Sequence, residues 1–243
     1  MVRILGSTSG IVAHDLGKLT QASECFERSR QIDPHDAHVH RASGRLLYEQ
    51  GQLTEAMLAF EEAVQQAPDN AEGLAGRGIV GYALGRDLNR VKDDYLRAIG
   101  KQAISADNAY LYANLGQVLW ELGDLKRSLR CLDAAIEIDP SNHEAISVRV
   151  LARLAIDEHA SQRDVLQACL DDLRSVFQST EHPSYWDFCA VAALNARLGD
   201  YTRAVRFQRS AVTRAQVGAH KRFREPAEQS LQQYAKKRDF LPR

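Results

Sequence analysis

The chain has 243 residues, 44% hydrophobic and 26% charged, a composition that can bury a core and stay in solution. The formal net charge of -1 gives no ground for a nucleic-acid or membrane partner. No apolar run approaches the roughly 18 residues that a spanning helix needs. Glycine and serine interrupt the N-terminal stretch where a signal peptide would have its apolar core. We therefore expect a cytoplasmic protein that does not enter a membrane.

The four cysteines, Cys25, Cys131, Cys169 and Cys189, are far apart in the chain. No two have the close spacing of a zinc knuckle or a redox motif. In a reducing compartment they are expected to be small buried hydrophobic residues.

Three segments of the chain align with one another without gaps. GKLTQASECFERSRQIDPHD begins at Gly17, GQLTEAMLAFEEAVQQAPDN at Gly51 and GDLKRSLRCLDAAIEIDPSN at Gly123. In each of them a proline follows the glycine at the same interval, and such periodic self-similarity is the signature of a helical-repeat array. The full column of leading glycines is Gly17, Gly51, Gly85, Gly123 and Gly199.

The first half of each repeat is predicted to be a helix, such as Ala37 to Gln50. A glycine in the middle of this helix, Gly44, costs about 1 kcal/mol against alanine. Because such a glycine recurs at one phase, we expect a neighbouring helix to approach closely there. Gly51 ends the helix, where a left-handed residue is usual. The mid-helix glycines are Gly10, Gly44, Gly78 and Gly116.

The second half is predicted to be a helix from Thr54 to Gln66, which Pro68 stops. Ala56, Phe60 and Ala63 fall on one of its faces. We predict that Phe60, and Leu132 in the equivalent helix, are buried between the paired helices. The corresponding apolar sets are Ala22, Phe26 and Ser29; Val91, Tyr95 and Ala98; and Ser128, Leu132 and Ala135.

These columns, together with Asn114, Leu115 and Gly116, resemble the tetratricopeptide repeat family. The resemblance implies an all-α, right-handed superhelical solenoid of antiparallel helix pairs, with about six repeats and a C-terminal capping helix. The fifth repeat departs most, because Val150 and Asp157 stand where glycine is expected. Within an array over 1–218, the repeats are expected at about 3–36, 37–70, 71–108, 109–142, 143–184 and 185–218.

Residues 219–243 are expected to form the capping helix and a basic tail. Pro226 suits the first turn of a helix, and Ala227, Leu231 and Tyr234 share one face. Such a helix covers the apolar end that the last repeat would otherwise expose. This tail also resembles the tyrosine-containing tails that close some bacterial arrays, which implies a bacterial source.

The N-terminal helix, predicted from Arg3 to Leu16, contains Gly6 and Gly10. These two glycines together cost about 2 kcal/mol of helix propensity. No preceding helix covers its apolar side, and exposed apolar ends of arrays usually meet another surface. We predict either self-association through the first repeat or a frayed helix completed by upstream sequence. The alternative is a monomer that tolerates the short patch.

The resemblance also implies a groove, lined by the first helices, that binds a partner peptide or helix. Aromatic and arginine residues are the usual anchors of interfaces, and Tyr48, Tyr82 and Trp120 occupy equivalent positions. The alternative is that these aromatics only pack neighbouring helices. Further equivalent positions hold Glu72, Ala75, Ile79 and Ala113. The predicted partner-binding residues are Arg41, Arg45, Tyr48, Glu49, Tyr82, Tyr110, Gln117 and Trp120.

Some family members clamp the C-terminal carboxylate of chaperones through Lys, Asn, Lys and Arg on successive first helices. Arg41 and Arg45 could begin such a clamp. However, Gly76 and Tyr110 stand where Asn and Lys are needed. This partner class is therefore not expected.

No constellation predicts catalysis or a metal. His38 and His40 are two apart in a helix and so lie on different faces, while Asp36 is predicted to cap that helix. Together with His35, they are interpreted as solvated turn histidines. The GSTSG segment, Gly6 to Gly10, lacks the following lysine and the preceding strand of a phosphate loop. We expect no enzyme activity and no cofactor.

Charge is uneven, because from Tyr201 to the C-terminus there are 11 Lys and Arg against 3 Asp and Glu. A basic end can attract nucleic acid or an acidic partner, but we favour a solubilising cap. The leading hypothesis is a non-catalytic scaffold or adaptor that binds a protein or peptide. The alternatives are an RNA-associated repeat protein that uses the basic end, and a regulatory segment of a larger enzyme.

Overall fold

The computed structural model describes residues 19–101, 108–156, 163–215 and 222–239. Within these ranges the chain forms twelve helices and no strand, which confirms the all-α prediction. The chain divides into two compact units, Met1–Ala103 and Ile104–Arg243. The predicted helix from Arg3 to Leu16, the Gly6 to Gly10 segment, Gly17 and Asp157 lie outside the described residues.

The first unit consists of helices joined by short turns, so successive helices run antiparallel. Two pairs pack extensively, α2 with α3 and α4 with α5, and α1 packs against α2. The helices are α1 (Leu19–Ile32), α2 (Ala37–Glu49), α3 (Leu53–Gln66), α4 (Ala71–Ala83) and α5 (Leu88–Gly100).

The second unit repeats this arrangement and adds the cap. Helix α6 pairs with α7, α8 with α9 and α10 with α11, and the last helix, α12, covers α11. The helices are α6 (Ala109–Glu121), α7 (Leu125–Ile138), α8 (His143–Ile156), α9 (Arg163–Ser179), α10 (Tyr185–Arg197), α11 (Tyr201–Arg214) and α12 (Arg224–Asp239). In α12, Ala227 is buried, as the predicted cap requires.

Left-handed glycines end the first helices. Gly51, Gly85, Gly123 and Gly199 have φ values of 75°, 68°, 78° and 82°, and no other residue type among those described has a positive φ. Nothing lies within 4 Å of a Cβ placed on any of them. Glycine is therefore required by the backbone conformation and not by lack of space. At the first turn, the Gln52 N–H donates to the Leu47 carbonyl at 2.9 Å, which closes a Schellman motif.

Side chains satisfy the free N–H groups at helix starts. Asp36 accepts a hydrogen bond from the His38 N–H at 2.9 Å, which confirms that Asp36 caps α2. Asn70 does the same for the Gly73 N–H at 2.7 Å. Ser184 and Asp187 form a capping box at the start of α10.

The mid-helix glycines lie where the two helices of a pair approach each other. Phe60 is 5% exposed and Leu132 is fully buried, so both predictions of burial are confirmed. A Cβ would lie 3.0 Å from Phe60 at Gly44, 2.8 Å from Tyr95 at Gly78 and 2.6 Å from Leu132 at Gly116. Only a residue without a side chain leaves room for these large groups.

Phe60 also reaches the next pair. A Cβ placed on Gly76 of α4 would lie 2.2 Å from Phe60 Cε1 and 2.4 Å from its Cζ. The ring thus fills the space between α3 and both α2 and α4. Gly76, which stands where the carboxylate clamp needs asparagine, thus has a packing role, because it leaves room for this ring.

The fifth repeat packs without its glycine. Helix α9 buries Cys169, Leu173 and Val176 at the i, i+4, i+7 spacing of the other second helices. Val150, in the place of the glycine, is fully buried in one cluster with Leu173 and Leu194. Val150 and Leu173 thus pack in one cluster without a glycine between the helices, and the departure at Val150 does not interrupt the array.

Candidate partner-binding surface

Four of the predicted groove residues, Arg41, Arg45, Tyr48 and Glu49, fall on one face of α2. Arg45 and Glu49 are exposed, and Arg41 and Tyr48 are half-buried. Arg41 forms an ion pair with Glu72 on α4. Because Glu72 also holds a predicted groove position, this ion pair brings the equivalent faces of α2 and α4 side by side.

Arg41 lies in a partly desolvated position. Burial, and secondly the positive charge of Arg45, lower the pKa of the Arg41 guanidinium. Its Nε atom is buried and has no hydrogen-bond partner among the described residues. The guanidinium is protonated at neutral pH, as arginine always is in proteins, and it pairs with Glu72.

Tyr82 completes this surface in the first unit. It is half-buried and occupies on α4 the position that Tyr48 occupies on α2. We call the set Arg41, Arg45, Tyr48, Glu49 and Tyr82 the α2–α4 face. It combines exposed charges with two partly accessible aromatic rings.

The other predicted groove residues lie on α6 and differ in accessibility. Tyr110 is 38% exposed, whereas Gln117 is 7% exposed. Since α8 packs against α6, the Gln117 side chain offers a partner little surface. Trp120 is half-buried and meets the edge of Trp186 on α10, with ring centroids 5.6 Å apart.

Trp120 belongs to a group of four rings that sequence reasoning did not assemble. The Trp186 ring is 5.0 Å from Phe223 and 4.9 Å from Tyr185, and Tyr185 stacks on Phe223 at 5.3 Å. We call Trp120, Tyr185, Trp186 and Phe223 the aromatic cluster. Trp186 could have been found from the repeat register, because it occupies in its helix the position of Tyr110. Phe223 follows the last repeat, where no register exists.

Arg222 ties the same segment to α6. Its guanidinium pairs with Glu121, and the side chains of both residues are 17% exposed. The guanidinium carbon also lies 4.4 Å from the centroid of the Phe223 ring, which is a cation–π geometry. The residues just before α12 are thus anchored by charge and by ring contacts.

The thiol of Cys189, which hydrogen-bonds with Tyr185 of this cluster, has a raised pKa. Burial raises the pKa of Cys189 to about 12, although hydrogen bonds from Tyr185 and Gln208 oppose this shift. Only a thiolate attacks carbonyl groups or disulfides efficiently, and Cys189 is protonated at neutral pH. Its role is packing and hydrogen bonding.

One of the three histidines interpreted as solvated turn residues, His40, is not solvated. His40 is 8% exposed, and its Nε2 lies 2.7 Å from the Pro34 carbonyl oxygen. His40 therefore lies in α2, buried and hydrogen-bonded to the preceding turn, and is not a solvated turn histidine. Within the described ranges, no group of three or more His, Cys, Asp or Glu side chains could hold a metal ion.

The basic C-terminal end is partly engaged in local contacts. Arg203 pairs with Asp200 at 3.3 Å, and Lys237 lies 5.7 Å from the centroid of the Tyr201 ring. Arg206 and Arg209 are exposed on α11. These local contacts and the exposed arginines are typical of a hydrated outer face.

None of the helices that the structure describes is long and apolar enough to cross a membrane.

The sequence matches the tetratricopeptide repeat family twice, over residues 8–88 and 109–142. No curated protein matches the chain in sequence. The two family matches fall in different units, and each includes complete helix pairs.

Solved structures share the fold at low sequence identity. Pseudomonas aeruginosa PilF is 14% identical with a TM-score of 0.65, covering 92% of this chain and 97% of that one. PilW, a widely conserved type IV pilus biogenesis factor, is 14% identical with a TM-score of 0.66, covering 97% and 99%. YrrB, a TPR protein with an unusual peptide-binding site, is 19% identical with a TM-score of 0.55, covering 77% and 91%. Both family matches fall on consecutively packed helix pairs, so we conclude that this chain carries tetratricopeptide repeats over residues 8–88 and 109–142.

Proposed function

We propose that the protein is a non-catalytic scaffold that binds a partner peptide or helix on the α2–α4 face. Tetratricopeptide repeats in general support protein–protein interaction and are generally non-catalytic. The observation that carries the proposal is the Arg41–Glu72 ion pair. It aligns two first helices whose equivalent positions hold the partly accessible rings of Tyr48 and Tyr82.

The chemistry of this face favours a particular partner. Burial, and secondly the positive charge of Arg45, lower the pKa of Arg41, so a carboxylate placed between the two guanidinium groups would be stabilised. The two tyrosine rings offer apolar surface with polar edges. We therefore propose that the bound segment of the partner combines an acidic side chain with an apolar or aromatic one.

The predicted groove residues on α6 are expected to contribute unequally to partner binding. Tyr110 is exposed and remains a proposed contact. Gln117 and Trp120 have most of their surface covered, so we propose smaller contributions from them.

The cytoplasm remains the proposed compartment, and the RNA-associated and regulatory alternatives remain predictions. A raised 260/280 absorbance ratio of the purified protein would reveal co-purifying nucleic acid and favour the RNA alternative.

Affinity capture tests the α2–α4 face. The immobilised chain is exposed to native lysate, bound proteins are identified by mass spectrometry, and the captured partner is titrated by calorimetry. Arg45→Glu and Tyr82→Ala should each weaken binding about fivefold or more, since anchor residues contribute more than about 1 kcal/mol and about 1.4 kcal/mol is tenfold.

Two variants serve as controls, one with the same charge reversal and one with a similar truncation to alanine. Arg28→Glu on α1 and Leu58→Ala on α3 alter exposed residues of second helices and should leave the affinity unchanged. If all four variants bind alike, the α2–α4 face is not the binding surface.

A further inference from the structure

We infer that the three rings of the aromatic cluster other than Phe223, together with Glu121, form a second recognition site. This site is specific for a basic residue followed by an aromatic one, and the chain fills it with its own Arg222–Phe223. A partner segment of that chemistry would bind by displacing this dipeptide. The inference concerns the second unit alone and does not depend on the α2–α4 face.

The ring of Phe223 occupies an enclosed aromatic site. It is 7% exposed, stacks on Tyr185 with an interplanar angle of 19° and meets Trp186 edge-on at 69°. Tyr185 and Trp186 are themselves 5% and 2% exposed. Stacked and edge-on ring pairs contribute beyond the area they bury, so this site selects a planar ring over an aliphatic side chain.

The charge beside the ring is matched as well. Glu121 at the end of α6 receives the Arg222 guanidinium, which also lies over the Phe223 ring. Lysine or arginine directly before the aromatic residue therefore satisfies the carboxylate and the ring together. An acidic residue at that position would face Glu121 and be repelled.

The dipeptide can leave without removing the cap. Helix α12 packs extensively on α11, and the Gln208 amide of α11 donates to the Ala227 carbonyl at 3.2 Å. Lys237 near the end of α12 adds a contact with the Tyr201 ring. These contacts involve neither Arg222 nor Phe223, so the cap has its own attachment while the dipeptide contacts α6 and α10.

The intramolecular dipeptide has a kinetic and thermodynamic advantage over a free one. Covalent attachment raises its effective concentration, which for short connections is in the millimolar range. A free peptide therefore competes poorly with the intact chain and well with a chain whose own ring has been removed. The affinity of a free peptide for these two forms of the chain is therefore the quantity to measure.

The chain provides its own optical reporter for this test. It has two tryptophans, Trp120 and Trp186, and both belong to the aromatic cluster. The probe is a synthetic peptide with the chain's residues 219–227, AHKRFREPA. The control peptide carries alanine in place of the phenylalanine.

Tryptophan fluorescence is titrated with each peptide, using the full chain and its Phe223→Ala variant. The variant should bind the probe saturably and at least about tenfold more tightly than the unaltered chain, and it should not respond to the control peptide. A variant with unchanged circular dichroism that ignores the probe, or responds equally to both peptides, overturns the inference.

Should Phe223→Ala lose helical signal, Arg222→Ala decides the question. This variant keeps the ring but loses the pairing with Glu121, so the probe should bind several-fold more tightly than to the unaltered chain. Equal affinity would overturn the inference. Tyr82→Ala should leave the titration unchanged, which separates this site from the α2–α4 face.

Discussion

Gly76→Ala tests the packing between successive helix pairs most directly. The added methyl would lie 2.2 Å from Phe60 Cε1, whereas carbon atoms pack best about 3.5–4.0 Å apart. The ring has little room to retreat, because its other edge packs so closely against Gly44 that a Cβ there would lie only 3.0 Å away. Either α4 must move away from α3 or Phe60 must leave its rotamer.

The magnitude follows from two opposing terms. Overpacking a well-filled core typically costs about 1–3 kcal/mol, and sometimes more. Replacing a helical glycine by alanine gains about 1 kcal/mol of helix propensity. The overlap at Gly76 is severe and involves the ring itself, so the packing term should win. We expect a net loss of about 1–3 kcal/mol in the free energy of unfolding.

Gly100→Ala is the matched control. Gly100 is the last residue of α5, and nothing lies within 4 Å of its Cβ position. The same substitution there should be neutral or stabilise by up to about 1 kcal/mol. Adding Phe60→Leu to Gly76→Ala should relieve part of the overlap, with a coupling energy of about 1–2 kcal/mol, within the range for residues in contact.

Urea denaturation followed by far-ultraviolet circular dichroism provides the comparison. The midpoints of the single and double variants are measured under one condition, and slopes are checked because repeat arrays can lose cooperativity. If Gly76→Ala is as stable as Gly100→Ala, the close approach of Phe60 to α4 does not exist in solution and the packing argument fails.

Three further outcomes are expected. Leu132→Ala should cost about 2–5 kcal/mol in the same denaturation assay, and a loss below about 1 kcal/mol would mean that this residue does not fill the space between α6 and α7. Gly123→Ala should cost about 1–2 kcal/mol through backbone strain alone, although its surroundings are open; an unchanged melting temperature would contradict the left-handed turn. Light scattering should show a smaller assembly, or calorimetry a lower melting temperature, for a chain shortened to begin at Asp36. If the full chain and the shortened chain are both monomers of equal stability, the first repeat is not an interface.

The paired helices could be predicted because their determinants are local and periodic. A left-handed turn at Gly51 and a close approach at Gly44 are each encoded by one residue type at a fixed phase. Phe60 could be assigned to the interior because its face is marked by small residues one turn away on either side. Such constraints recur often enough to be recognised without any knowledge of three-dimensional contacts.

The composition of the candidate surfaces was less accessible to sequence reasoning. The burial of Gln117 and the contact of Trp120 with Trp186 depend on how helices from different repeats meet. Phe223 lies beyond the periodic region, so no register indicated that it would pack against α10. For His40, spacing excluded a shared metal but could not reveal the nearby Pro34 carbonyl. These features require the tertiary arrangement.

The contact between Phe60 and Gly76 limits how freely the repeats can be exchanged as modules. Phe60 belongs to one repeat and Gly76 to the next, so the two positions must change together during divergence of the sequence. Duplicating the segment 37–70 in tandem would place a copy of Ala42 where Gly76 now stands, and its methyl would meet the ring. At the preceding junction Ala42 itself packs against the cluster that contains Phe26, so an alanine is accommodated there. Growth of this array by duplication of that repeat therefore requires either a compensating substitution at the new junction or a local shift of the helices towards the arrangement around Phe26 and Ala42.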